Sequence, residues 1–382
     1  MKKIIALLAT AGIYRALGGK KAEAWFSDTH SDITEKAVAL LEKEGKIKPY
    51  NFYKNYLPQL VSGSVAPDGE NDCDKALGAH YYSCSNGKGK DLSETNGYYK
   101  NRLGKFSKSA RTMLEENYTS ALCLYKSGET EKAMTVLGRA IHFVCDMSCT
   151  VHTANMKYVE KSTNAHYAFE KHVNTVCRQY SAEKLDKRLS KSYDGDSFGA
   201  GLNKLVKSVS RFAESVARLD PKAFDEAAKS SLPAAQQNTA ALLLKFFDDC
   251  SSDKGNFICG GRKYTFKNEA TGQLLTFTNK GLSAEAPDKE LEQKLELHIS
   301  DMGTFGFKVS EGGFVSENCK SFDYPKIGTL PAQFRFAALG KRRFRITTGG
   351  TNFEKVIACT KSGNLTITEF EPGDPTQVWI IN

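Results

Sequence analysis

Histidine is scarce in this chain, with seven among 382 residues, beside two tryptophans, six methionines and ten prolines. Any clustering of so few imidazoles is therefore informative, because histidine is the commonest metal ligand and proton carrier. Low-complexity tracts are absent, and with 40% hydrophobic and 25% charged residues the composition is that of a globular protein, which sets disorder aside as the main theme. No C-x₂-C pair occurs among the ten cysteines, so cysteine-based zinc sites are not expected. After the N-terminal segment, no stretch approaches the roughly 18 uninterrupted apolar residues of a spanning helix. The length of the chain is expected to divide into two domains, each able to bury a core of its own.

Residues 1–24 read as a secretory signal: a basic Met1-Lys2-Lys3 start, an apolar run from Ile4 to Tyr14, and Ala22-Glu23-Ala24 in the A-x-A form that precedes cleavage. Export is the expected fate, with Trp25 as the first mature residue. In an exported chain the even cysteine set, Cys73, Cys84, Cys123, Cys145, Cys149, Cys177, Cys250, Cys259, Cys319 and Cys359, fits disulfides of unassigned connectivity. A net charge of +9 favours approach to anionic lipid surfaces or nucleic acid.

Two textures divide the chain. Residues 25–250 carry apolar positions at helical spacing, as in Ala121, Leu124, Ala133, Val136, Leu137, Ala140, Ile141 and Val144, which predicts an α-helical bundle. The exception is a long polar stretch from Ser62 to Asn101; an extended loop in a compact domain is usually functional, which draws attention to Asp68 and His80. Residues 257–382 break into short alternating runs separated by Gly, Asn, Ser and Asp, which predicts an all-β domain. Tyr264-Thr265-Phe266, Phe305-Gly306-Phe307 and Phe344-Arg345-Ile346 form a faint threefold echo. Gln293-Lys294-Leu295, Gln333-Phe334-Arg335 and Gln377-Val378-Trp379 lie near the end of each unit. The last is a Q-x-W triplet, so this half resembles a ricin-type β-trefoil, with a β-sandwich as the competing architecture; a trefoil would make glycans a candidate partner.

His142 and Asp146 stand four apart on a strongly helical segment and so project from one face toward one ion. His166 and Glu170 repeat the device on the next helix, and His152 lies in the connection between them. A single such pair is more often a surface i,i+4 interaction or a hydrogen-bonded buried histidine. Two pairs flanking a fifth candidate reverse that preference.

The stretch from His142 to Asn155, HFVCDMSCTVHTAN, resembles the zinc-binding signature of bacterial zinc-dependent phospholipases C, with Cys145 and Thr150 as departures beside the ligand positions. The resemblance extends to Trp25, His30, Asp68, His80, His166 and Glu170, so that each of nine ligand positions holds the expected residue type. It implies three zinc ions. One is held by Asp68, His80, His142 and Asp146; a second by His152, His166 and Glu170; a third by the Trp25 amino group and carbonyl, His30 and a bridging Asp146. It further implies a secreted enzyme that hydrolyses phospholipids such as phosphatidylcholine at a membrane surface, with Asp68 as general base or water-orienting group. Fungal single-strand nucleases and 3′-nucleotidases are the nearest alternative, although their last ligand is Asp where this chain has Glu170. A catalytically inactive lectin-like adhesin is the reading from another class.

Overall fold

The computed structural model describes residues 26–69, 72–74, 78–82, 84, 99–100, 105–156, 165–186, 188–189, 198–252, 257–278, 281–308, 314–315, 327–328, 333–348 and 355–382. Residues 1–24 with the expected signal, and Trp25, lie outside them.

The N-terminal half is helical. Its helices are α1 (Ser27–Lys43), α2 (Ile47–Lys54), α3 (Leu57–Val65), α4 (Ala110–Lys126), α5 (Thr130–Met147), α6 (Thr150–Thr153), α7 (Ala165–Val176), α8 (Phe198–Ser210), α9 (Ala213–Ala217) and α10 (Pro221–Ser251). Local chemistry sets the boundaries. Ser109 and Thr112 form a reciprocal capping box at the start of α4, with each hydroxyl accepting from the other's backbone N–H. Asp220 caps α10 ahead of Pro221, which suits the first turn because its missing N–H would have no helical partner there. From Ala133 onward nearly every residue of α5 is buried, since this helix runs through the middle of the bundle.

Helices α3 and α5 approach closely through two glycines. A Cβ built at Gly138 would collide with the Leu60 carbonyl oxygen, and one at Gly63 would collide with that of Thr135. Only hydrogen in place of a side chain permits this spacing. It matters for the site because Gly138 precedes His142 by one turn, and Gly63 adjoins Ser64.

The C-terminal half is antiparallel. A short pair, β1 (Tyr99–Lys100) and β2 (Phe106–Ser107), precedes it within the helical half. Its own strands are β3 (Lys263–Tyr264), β4 (Phe266–Asn268), β5 (Leu274–Thr278), β6 (Gly281–Glu285), β7 (Leu295–Ile299), β8 (Phe305–Lys308), β9 (Phe314–Val315), β10 (Ile327–Gly328), β11 (Phe334–Ala338), β12 (Arg343–Thr348), β13 (Lys355–Cys359), β14 (Leu365–Glu369) and β15 (Val378–Ile381). Pairing runs β3–β7–β8–β11–β12–β15–β4, and because β4 follows β3 directly the series closes on itself. Hairpins β5–β6, β9–β10 and β13–β14 stand beside this ring. Tyr264, Phe266, Phe305, Phe307, Phe344 and Ile346, the residues of the threefold echo, meet in its core with Trp379, whose indole N–H donates to the Ile357 carbonyl at 2.9 Å.

Two of the three glutamines also repeat a role. Gln293 accepts from the Asp288 N–H and donates to the Ala286 carbonyl, and Gln377 does the same with Glu371 and Glu369. The middle triplet is out of register with the others. Phe334 and Phe336 enter the core, so the alternation of a strand places Arg335 on the outer face.

That outer face packs on α4. Ser120 donates to the Gly303 carbonyl, Thr119 accepts from the Ala338 N–H, Thr347 donates to Glu116, and Arg345 pairs with Glu115 at 3.2 Å. Disulfides expected from the even cysteine count are not formed among the nine described cysteines; Cys319 lies outside the described residues. Cys123 on α4 packs into the barrel core, and most of the others sit in the helical core, where a thiol serves as a small apolar side chain. Among the described residues no helix is long and apolar enough to cross a membrane.

Candidate metal centre

Eight of the nine sequence-predicted ligand residues are described, and they converge between α1, the turn after α3, α5, α6 and α7. His30 comes from α1, Asp68 from the single turn Ala66–Asp68 that ends α3, and His142 and Asp146 from successive turns of α5. His80 lies on the following loop, His152 on α6, and His166 and Glu170 on α7.

They form two adjoining groups. In the first, the Asp146 carboxylate lies 2.8 Å from His80 Nδ1, 3.2 Å from His142 Nε2 and 3.8 Å from His30 Nε2. Asp68 lies 3.7 Å from His142 Nε2, 3.8 Å from His30 Nε2 and 3.9 Å from His80 Nδ1. The second group is built on Glu170 Oε1, which stands 3.0 Å from His152 Nε2 and 2.8 Å from His166 Nε2. The His152 Nδ1 to His80 carbonyl bond, at 2.7 Å, ties the groups together.

Three imidazoles are oriented by backbone. Nδ1 of His142 meets the Ser64 carbonyl at 2.8 Å, that of His152 the His80 carbonyl, and that of His166 the Met156 carbonyl at 2.6 Å. Donation from Nδ1–H fixes the tautomer and leaves each Nε2 lone pair facing the carboxylates, the arrangement found around metal-bound histidine. The Gly63–Gly138 approach is what brings the Ser64 carbonyl within reach of α5.

The charges within the cluster are mutually dependent. Burial raises the Asp68 carboxyl to about 6, against the lowering influence of His142 and His80. Burial opposes ionisation of Asp146 as well, yet His142 and His152 hold it well below the carboxylate range. For His142, burial favours the neutral ring, but Asp146 and Asp68 carry it to about 9; His152 reaches about 9 against burial through Asp146 and Glu170. Burial and the neighbouring His142, stacked at 4.1 Å between ring centroids, push His30 well below the usual imidazole value.

Several of these atoms are buried without any hydrogen-bond partner: both ring nitrogens of His30, Asp68 Oδ2 and Asp146 Oδ1. Buried polar atoms are almost always satisfied, and a group of lone pairs converging from imidazole and carboxylate is satisfied by a cation. Imidazole with carboxylate oxygen suits zinc among the common divalent ions.

The comparisons agree with this donor chemistry. The family model for zinc-dependent phospholipase C matches residues 29–225. The chain belongs to that family. A phospholipase C of Clostridium novyi is 23% identical over 248 residues, covering 59% of this chain and 60% of the relative, so the match spans about three fifths of that protein's length. Among solved structures, the alpha-toxin of a Clostridium perfringens avian strain superimposes with a TM-score of 0.52 at 15% identity, covering 95% of this chain and 98% of the toxin. Clostridium absonum alpha-toxin gives 0.51 at 16% identity, covering 92% and 95%. These two establish likeness of fold across a helical half followed by an antiparallel half. Zinc is the metal of the family, and the cluster fits it.

Cys149 is the residue that sequence reasoning passed over, having grouped it with the cysteines that fit disulfides. A ligand atom of Cys149 lies within 4.8 Å of those of His152 and Glu170. Its placement three residues before His152, across the turn from α5 to α6, was the available signal. His172, the remaining histidine of the helical half, pairs with Asp225 at 2.8 Å.

Proposed function

We propose that this chain is a phospholipase C that hydrolyses phospholipids such as phosphatidylcholine between glycerol and phosphate, releasing diacylglycerol and a phosphorylated headgroup. The observation that carries the proposal is the convergence of His30, Asp68, His80, His142, Asp146, His152, His166 and Glu170, with their unpartnered buried atoms, in a chain of the zinc-dependent phospholipase C family. Three zinc ions distributed as the family resemblance implies would use all eight, together with the Trp25 amino group and carbonyl. Bound zinc supplies a water of lowered pKa and positive charge to offset that of the phosphate.

The side chains do the rest. Asp68 borders the first group, and Oδ2 has no hydrogen-bond partner; it orients the attacking water and accepts its proton. Asp146, fully buried and held ionised, keeps the His80 and His142 rings turned toward the centre. Tyr81 stacks on His152 at 5.0 Å and shields that ring.

Export to the extracellular space follows from the signal-like residues 1–24, and a lipid surface is the expected site of action. The closed pairing ring and its three hairpins support a β-trefoil reading of residues 257–382, for which glycan binding is the associated expectation, open to direct test on immobilised glycans.

The deciding experiment uses the mature chain beginning at Trp25. About three zinc ions per chain and chelator-sensitive phosphocholine release from phosphatidylcholine vesicles are expected. Cleavage of single-stranded nucleic acid without phosphocholine release would replace the reading with a nuclease, and zinc-free protein would leave a binding module.

A further inference from the structure

Between Asp68 and His80 runs the loop that carries both ligand residues, and within it Asp74 is buried against partners from both halves of the chain. Arg139 reaches Asp74 Oδ2 from α5 through Nε at 3.0 Å and Nη2 at 2.7 Å, and extends Nη1 to Asp72 at 2.9 Å. Arg335 reaches Asp74 Oδ1 from β11 at 2.7 Å. Asn117 on α4 completes the set, donating to Asp74 at 3.3 Å and accepting from Arg335 at 3.4 Å. Arg335 also approaches the thiol of Cys73 at 3.4 Å.

Arg335 is fully buried although it projects from the outer face of its barrel. A guanidinium is stripped of water only where its planar fork is matched by acceptors. Here the acceptors are the carboxylate at the middle of the ligand loop and the α4 amide beside it. Arg139, which clamps the same carboxylate, precedes the ligand His142 by three residues. One carboxylate therefore joins the ligand-bearing helix, the ligand-bearing loop and the C-terminal domain.

We propose that Arg335 is a positioning residue for the metal centre. Through Asp74 the β-rich domain holds the Asp68–His80 loop in the conformation that binds zinc, so the C-terminal half contributes to metal affinity while supplying no ligand. This inference rests on the zinc reading above. Residues that orient ligands commonly carry a 10- to 100-fold share of metal affinity. The ion held by His152, His166 and Glu170 draws its ligands from α6 and α7 and meets that loop through the His80 carbonyl that orients His152, so it is expected to weaken less.

Arg345 provides the comparison. It forms a buried ion pair between the domains, with Glu115, and lies over the Phe370 ring at 4.3 Å, both away from the Asp68–His80 loop. In the full chain, zinc is measured by graded competition with a chelator for the wild type, Arg335→Gln and Arg345→Gln. The wild type and Arg345→Gln are expected to behave alike, and Arg335→Gln is expected to release part of its zinc at about 10- to 100-fold lower chelator strength, the remainder with a smaller shift. Equal zinc loss in both variants would reduce Arg335 to an interface contact and overturn the proposal, as would unchanged binding in Arg335→Gln. A wild-type chain without zinc would overturn the site reading together with it. Should Arg335→Gln fail to fold, Arg335→Lys keeps the charge and loses the fork. A selective weakening smaller than about 10-fold is then expected, and wild-type affinity would be the contrary result.

Discussion

Asp68 differs from the other carboxylates of the cluster in its surroundings. Asp146 and Glu170 each have a short contact to imidazole, whereas Asp68 stands 3.7 Å or more from the rings around it and has its carboxyl raised to about 6 by burial. A carboxylate so placed is suited to proton transfer more than to neutralising charge. Asp68→Asn is expected to lower the rate of phosphocholine release by about 10²- to 10⁴-fold. Zinc content measured on the same sample is expected to stay above half of wild type, since the second group is untouched; complete zinc loss would make Asp68 a ligand first. At this scale the sequence was most legible. The i,i+4 pairs His142–Asp146 and His166–Glu170 could be read because helical spacing converts directly into proximity. The contacts that orient them could not, because their partners are backbone carbonyls of Ser64, His80 and Met156, and every residue has a carbonyl.

Among the elements, the α3–α5 contact decides how the first group assembles. Gly138→Ala would force a methyl group into the Leu60 carbonyl and push α3 away, taking with it the Ser64 carbonyl that orients His142. Overpacking of this kind costs about 1–3 kcal/mol. Thermal unfolding is expected to show that loss, together with weaker zinc retention, while Gly128→Ala, whose Cβ would meet nothing within 4 Å but whose φ of +87° strains any side chain, is expected to lose stability without losing zinc. Helical periodicity made α4 and α5 legible, and strand alternation made the β half legible. The register of β11 was not. The triplet Gln333-Phe334-Arg335 stands out of frame with the other two, and because a slip of one residue exchanges the two faces of a strand, Arg335 faces the helical domain at the position where Leu295 and Trp379 enter the core.

For the molecule as a whole, the contact around Asp74 makes the union of the two halves pH-dependent in a defined direction. Burial opposes its ionisation, but Arg335, Arg139 and Lys108 hold the carboxyl well below its ordinary value. A carboxylate depressed in the folded state contributes stability that is present above the unfolded value of about 3.9 and disappears as pH falls through the folded one. Wild-type and Asp74→Asn chains are therefore expected to differ in thermal stability by a constant amount from neutrality to about pH 5, and to converge only under strong acid. A gap that closed between pH 7 and 5 would show that another group controls the contact. Burial of Trp379 in the barrel core, with its indole N–H bound to the Ile357 carbonyl, bears on how such experiments are read. Tryptophan is present only twice, so in a chain lacking Trp25 the emission excited beyond the tyrosine band belongs to the C-terminal half alone. What the full chain emits beyond it comes from Trp25. Each half of the molecule thus carries its own optical label, and the order in which the halves come apart can be followed without adding a dye.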